Sequence, residues 1–490
     1  MRDDEIAGRL REVNPWWRLS SGGEDPRRWS AGDRILLDRA RYDLGYRSAV
    51  LADVASGPAD DKLVILRGPR RVGKSVVLKE TILALCGRDD LDPRQIVFLP
   101  ADGMRGRDLH RVVVLGRELT RSVDLDGAKR RIWLLDEVTG LDGWTTTLKY
   151  LRDNTPFGDD TVVCTGSSWN DSADAEKDLL AGRAGSASSR RTRLLLPMRF
   201  RDFLAATRPE LPRPDAVPPW DLQGARAQRT ATYAELFASD LDLAWQAYLS
   251  SGGYPRAVAE HTKLGAVSES FLSDLAAWLH RDVDRDAPVE SIPRLLAGLA
   301  ARSAAPLNRA AAAADLGYAN RPTFDLRLTR LVRSFGALWC HQVDQRGSRV
   351  AGAQSKLYLA DSLLSWLGHY LRAGMPAPEM TMLTEAALGT ALAAAIEDLQ
   401  AGRWMTEDTI GYVRTPGGSE IDFGSVPIPG AGATVRTTPI ESKWVEHGWR
   451  AEARAIEVRF KGGVVATKNV TDLSHPAWAM PAPVLALLLG

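Results

Sequence analysis

The sequence predicts an α/β fold, and three observations point to it. Short apolar runs recur between residues 61 and 205, at Leu63–Leu66, Gln95–Leu99, Ile132–Leu135, Thr161–Cys164 and Thr192–Leu196. Helical stretches separate them, the alternation that builds a parallel sheet with crossover helices. The first run leads directly into Gly68-x-x-x-x-Gly73-Lys74-Ser75 and then a helical pattern, while the third ends in Asp136-Glu137.

Each part of that pattern has a chemical reason. Gly68 and Gly73 let the backbone curl so that successive N–H groups face phosphate oxygens, and the following helix adds its positive N-terminal end. Lys74 would reach the β and γ phosphates, Ser75 would ligate magnesium, and Arg71 and Val76 complete the expected nucleotide-contacting set. Asp136 and Glu137 form a Walker B arrangement at the carboxyl end of a buried strand. Asp136 would hold magnesium and Glu137 would polarise an attacking water. ATP and Mg2+ are therefore the expected ligands.

Two further features surround this expected site. Thr165-Gly166-Ser167-Ser168 puts hydroxyl groups at the tip of a strand, so Ser167 or Ser168 is a candidate sensor of hydrolysis, or the run is a commonplace turn. Before the fifth strand lie Arg183, Arg190 and Arg191. One of them, with Arg183 the choice, would be a finger reaching a neighbouring copy's γ phosphate, which would make the chain a homo-oligomer; otherwise this is a solvated basic loop.

At 490 residues the chain is too long for one core, and 44 % apolar with 26 % charged residues is ordinary for globular protein. The net charge of +1 neither favours nor excludes a nucleic-acid partner. The charged N-terminus is unlike a signal peptide and the apolar runs are too short to span a bilayer, so a cytoplasmic chain without a membrane partner is expected. Cys86, Cys164 and Cys340 show no C-x-x-C spacing, which argues against a disulfide framework or zinc site. Residues 1–60 read as a helical entry segment in which Asn14-Pro15-Trp16-Trp17 would pack under the sheet or touch a base.

The order of motifs resembles the bacterial and archaeal AAA-type ATPases bordering the STAND group, which carry a C-terminal restriction-nuclease-like domain. The carrying residues are GPRRVGKS at 68–75, LLDEVTGLDGW at 134–144, CTGSS at 164–168, LAGR at 180–183, LLLPMRFRDFL at 194–204 and GGYPRAV at 252–258. The resemblance implies an ATPase core over 61–205, an insertion and helical lid over 206–290, a winged helix over 291–370 and a nuclease-like domain over 371–490. It also implies that Pro255 packs near the adenine; as a residue, Pro255 reads equally as part of a turn.

Three short helices and two strands from Ser291 onward fit the winged-helix pattern. Between 291 and 350, nine arginines face three aspartates, a surplus of six positive charges. Arg327, Arg330 and Arg333 recur at a spacing of three on the expected recognition helix, with Arg321 at its start and Arg349 in the wing, a DNA-phosphate footprint. The alternative is a winged helix that packs on its own ATPase core.

The C-terminal region holds a second constellation. Glu385 opens an Ala/Leu-rich helix, Asp422 ends one strand, and Glu441-Ser-Lys443 lies on another, the order of a PD-(D/E)XK nuclease without the proline before the aspartate. Glu385, Asp422 and Glu441 would hold metal, and Lys443, on the same strand face as Glu441, would position water. Residues 375–490 are nonetheless acidic, with thirteen carboxylates against nine basic groups. The sequence therefore predicts an ATP-hydrolysing, DNA-processing protein. Two other readings stand beside it, an ATP-gated signalling or defence switch and an ATPase adaptor without DNA.

Overall fold

In the computed structural model, residues 2–55, 63–125, 127, 130–167, 192–406, 408–415, 417–429 and 434–490 are described. The chain divides into two compact units, Met1–Leu196 and Pro197–Gly490.

In the first unit the apolar runs become strands β1 (Leu63–Arg67), β2 (Ile96–Pro100), β3 (Ile132–Asp136), β4 (Thr161–Gly166) and β5 (Thr192–Leu194). They form one parallel sheet in the order β2-β3-β4-β1-β5. β1, β3 and β4 are buried along their whole length, which explains why their sequences are continuously apolar rather than alternating. The helix Lys74–Cys86 follows β1, and the strand order places β4 between β1 and β3.

The entry segment covers the exposed edge of this sheet. Trp16 and Trp17 are buried in the core, and both indole N–H groups donate to the Ile96 carbonyl, at 3.0 and 2.8 Å. Asn14 behaves as a missing strand residue: its amide donates to Phe98 O at 2.9 Å and its carbonyl accepts from Phe98 N at 2.6 Å. Arg9 donates to Pro100 O. An uncovered β2 would present a row of unpaired backbone groups, and these side chains satisfy them.

In the second unit, helices Ser291–Ala300, Arg309–Asp315 and Arg321–Arg333 precede an antiparallel pair, β6 (Ala337–Gln342) and β7 (Ser355–Leu359). β6 also pairs in parallel with β8 (Ile410–Arg414), and β8 pairs with β9 (Glu420–Ile421), giving a sheet ordered β7-β6-β8-β9. The expected boundary at 370 thus runs through a shared sheet. An antiparallel pair, β10 (Pro427–Pro429) with β11 (Thr434–Arg436), precedes the parallel sheet of β12 (Ile440–Ser442), β13 (Gly463–Thr467) and β14 (Ala477–Pro481). A bridge between Phe423 and Ile440 joins β9 to β12, and the helix Met380–Leu399 is buried on most of its surface.

The expected surface insertion after residue 206 lies against the C-terminal region instead. Leu211, Val217 and Leu222 are buried, Val217 N donates to Leu488 O at 2.8 Å, and Thr438 N donates to Pro219 O at 2.8 Å. Proline and charge suggested a loose loop, but the three apolar side chains among them anchor it. Among the described residues no helix is long and apolar enough to cross a membrane.

Replacing Asn14 by alanine leaves Phe98 N and O unsatisfied at a buried edge, which costs about 1–3 kcal/mol. Urea unfolding of the full chain followed by tryptophan fluorescence is expected to show the first unit melting earlier in Asn14→Ala.

Candidate active site

The carboxyl ends of β1, β3 and β4 place the first constellation. Register pairs Leu66 with Thr165, Arg67 with Gly166 and Leu135 with Cys164, so the phosphate loop, Asp136 and the β4 tip share one lip of the sheet. Gly68 has φ +154°, and a Cβ there would overlap the Leu195 carbonyl. Gly73 has φ +105° and starts the helix Lys74–Cys86, whose first turn has no side-chain cap, leaving backbone N–H donors for an anion. Arg71, also in this loop, adopts φ +66°.

Lys74 is buried, and its ammonium donates to Gly68 O and Pro69 O at 3.0 and 2.9 Å, with Glu137 at 3.7 Å. Ser75, in the first helical turn, helps stabilise the ionised Asp136 carboxyl, so the two groups expected to hold magnesium are neighbours. Burial pushes the Asp136 carboxyl above its ordinary pKa, opposed by hydrogen bonds from Thr165 and Ser75 and by the Lys74 charge. Donors, a lysine and a hydroxyl–carboxylate pair at one helix start fit a nucleotide polyphosphate with Mg2+, which Ser75 and Asp136 would hold.

Thr165 has a role that its place in the CTGSS run does not reveal. Its hydroxyl donates to Asp136 Oδ1 at 2.6 Å and accepts from Glu137 N at 2.8 Å. Glu137 adopts φ +54°, a left-handed conformation unusual for a residue with a side chain, and Thr165 holds it there. A Cβ on Gly166 would overlap Thr139, so the turn after β3 presses directly on the β4 tip. Ser167 is buried at that tip. Val76 is half-buried in the first helical turn, while Ser168, Arg183, Arg190 and Arg191 lie outside the described residues.

In the second unit, Pro255 occupies the first turn of the helix Pro255–Leu264, where a proline's fixed φ and missing N–H are both tolerated. The preceding glycines are held by Asp361: Gly253 N donates to its carboxylate at 2.8 Å, and a Cβ on Gly252 would overlap that group. These contacts account for Gly252, Gly253 and Pro255 as a loop and helix start.

The arginine stripe divides. Arg327 is buried and ion-paired with Asp284, which corrects its expected place on a DNA-facing surface. Phe324, Leu328 and Leu331 are buried around it, and positions 324, 327, 328 and 331 share one helix face. Arg330 is partly buried, with Val283 O at 3.3 Å and Asp286 at 4.0 Å. Arg321 and Arg333 stay exposed on the helix and Arg349 on the hairpin loop, with Arg321 paired to Asp325 at 3.2 Å.

Glu385, Asp422, Glu441 and Lys443 do come together, around a cation that the sequence pattern does not single out. Lys356, fully buried on β7, places its ammonium 2.9 Å from Glu385, 2.8 Å from Asp422 and 2.6 Å from Glu420. Tyr358 donates to Glu385 at 2.7 Å and Ser442 N donates to Asp422 at 2.9 Å. Glu441 accepts from Asp422 N at 3.2 Å and lies 3.2 Å from Lys443. Burial and the nearby Asp422 charge push Glu385 up to about 7 and Glu441 up to about 9. Both lysines oppose these shifts, Lys356 at Glu385 and Lys443 at Glu441.

Thr165→Val, nearly isosteric but without the hydroxyl, is expected to lower kcat for ATP about 10- to 100-fold, the usual effect of losing a group that orients metal-site ligands. Thr165→Ser should retain most of the rate. Steady-state phosphate release, compared with nucleotide affinity by titration, separates this from loss of binding.

The AAA domain family model matches residues 60–204, and a domain of unknown function (DUF8612) matches residues 242–376. No curated protein is similar to the chain at a significant level. Among solved structures, a Walker-type ATPase of Pyrococcus abyssi aligns over 66 % of this chain and 96 % of its own, at 13 % identity and a TM-score of 0.38. The match over 60–204, together with the phosphate loop and the Asp136–Glu137 pair at one sheet lip, makes the first unit's core an AAA-type P-loop ATPase domain.

Proposed function

We propose that the protein hydrolyses ATP with Mg2+ and couples the cycle to work on DNA. The observation that carries the hydrolytic half is the Thr165 hydroxyl, which fixes Asp136 and Glu137 together beside the phosphate loop. Loop N–H groups and Lys74 would bind and orient the phosphates, and the ammonium would turn from the Gly68 and Pro69 carbonyls to the β and γ oxygens. Mg2+ supplies charge neutralisation between the phosphates when it is held by Ser75 and Asp136. Glu137 would accept a proton from the attacking water, and Ser167, at the tip of β4, would report the loss of the γ phosphate.

Support for a DNA partner comes from the three-helix and hairpin arrangement of 291–359 and from exposed Arg321, Arg333 and Arg349 upon it. These would meet backbone phosphates, which contributes affinity and strong salt dependence rather than sequence selection. From Met380 through Thr467 the elements run helix, β8, β9, β10, β11, β12, helix and β13; with the β10–β11 pair set aside as an insertion, the remaining α–β–β–β–α–β order supports a nuclease-like fold. A homo-oligomer would supply the arginine finger.

A second reading, an ATP-gated switch whose C-terminal domain is a scaffold, is favoured by one observation: Lys356 already neutralises the acidic cluster. Hydrolysis measured with linear, single-stranded and branched DNA distinguishes the two. The DNA reading expects stimulation that weakens with salt and falls several-fold in an Arg333→Ala, Arg349→Ala double variant. Lys74→Ala is expected to remove hydrolysis under every condition. A slow rate indifferent to all three DNAs would move the assignment to the switch.

A further inference from the structure

The acidic cluster of the second unit has the residue types of a metal site, but its centre is taken. We infer that Lys356 is a built-in cation standing where a divalent ion would stand, so that Glu385, Glu420 and Asp422 take up no Mg2+ and this domain works without metal. This inference concerns the second unit alone and does not depend on the ATPase reading.

The geometry is saturated from the lysine's side. An ammonium has three donors, and three carboxylates lie at 2.6, 2.8 and 2.9 Å from Nζ. Lys356 has no exposed surface, and it sits on a strand paired with β6 through Cys340, with no loop that would let it swing away. Glu385 and Asp422 come from a helix and from the residue after β9, respectively, so the lysine ties three separate elements together.

Further donors also reach the cluster. Tyr358 donates to the same Glu385 oxygen, Ser442 N donates to the second Asp422 oxygen, and Asp422 N donates to Glu441. Lys443, the expected water-positioning group, lies against Glu441 and 3.9 Å from Glu452.

Magnesium requires near-octahedral oxygen ligation at about 2.0–2.1 Å and retains waters. Placed among these carboxylates it would meet the ammonium at close range, where like charges repel strongly in a buried setting. Expelling the ammonium would leave it buried without a partner, which is more costly still. Among the described residues, no group of three or more histidine, cysteine or acidic side chains is arranged to hold a metal. The carboxylates are therefore assembled around a fixed protein charge.

The test is Mn2+ titration of the nucleotide-free full chain, read by electron paramagnetic resonance. It is run in a Ser75→Ala background to silence the nucleotide-site metal. With Lys356 intact, added Mn2+ is expected to stay free at millimolar concentration, and adding Glu385→Gln should change nothing. In Lys356→Met the carboxylates lose their cation; the variant is expected to bind one Mn2+ and to gain thermal stability from it, with both effects lost in the Lys356→Met, Asp422→Asn double variant. A bound Mn2+ in the Lys356-intact protein that Glu385→Gln or Asp422→Asn removes would overturn the inference. So would a folded Lys356→Met protein that binds none. If Lys356→Met does not fold, the Lys356-intact titration decides, and Lys356→Arg, which keeps the charge, should fold and leave Mn2+ free.

Discussion

The hydroxyl of Thr165 organises the phosphate end of the first unit. It donates to the buried Asp136 carboxylate and accepts from Glu137 N, so one side chain on β4 fixes both members of an acidic pair on β3. The arrangement is possible because β4 lies between β1 and β3, and the three strands end at the same lip. Burial raises the proton affinity of Asp136, and the Thr165, Ser75 and Lys74 contacts offset it. The left-handed backbone at Glu137 and the close approach of Thr139 to Gly166 follow from the same packing.

The second unit deals with buried carboxylates in another way. Around the β9–β12 junction the counter-charge is covalent and permanent: Lys356 contacts Glu385, Glu420 and Asp422, while Lys443 contacts Glu441. In the first unit the acidic pair instead sits beside the phosphate loop, where Lys74 is held by the Gly68 and Pro69 carbonyls and lies 3.7 Å from Glu137. An acidic pair balanced by an exchangeable ligand suits a cycle. A cluster balanced by a buried lysine suits a rigid body, and the same lysine joins strand β7 to the elements that carry Glu385 and Asp422.

Legibility followed the range of the interaction. Strands β1 to β4 of the first sheet were visible because buried parallel strands are largely apolar, and observed ends of all five strands differ from the expected ones by one or two residues. The phosphate loop was visible because its chemistry is carried by neighbours in sequence. Glu385, Asp422, Glu441 and Lys443 were legible as one constellation through their order and the alternation of strand faces. Lys356 was not, since it lies 29 residues from Glu385 and 66 from Asp422, and alternation specifies a face but not a partner. Arg327 was misplaced because a spacing of three defines a stripe without saying where it meets solvent; the apolar neighbours at 324, 328 and 331 put Arg327 on the inner face, while Arg333 stays exposed.

Sequence by itself determined the α/β class, the nucleotide-binding loop, the acidic pair and the candidate carboxylates, because each depends on local periodicity or fixed short spacing. Tertiary structure alone decided that Asn14 completes the edge of β2, that Leu211, Val217 and Leu222 are buried, and that a lysine fills the second acidic cluster. These are meetings of residues far apart in the chain. Their energies depend on burial and on which charges share one low-dielectric space, and no one-dimensional pattern contains that information.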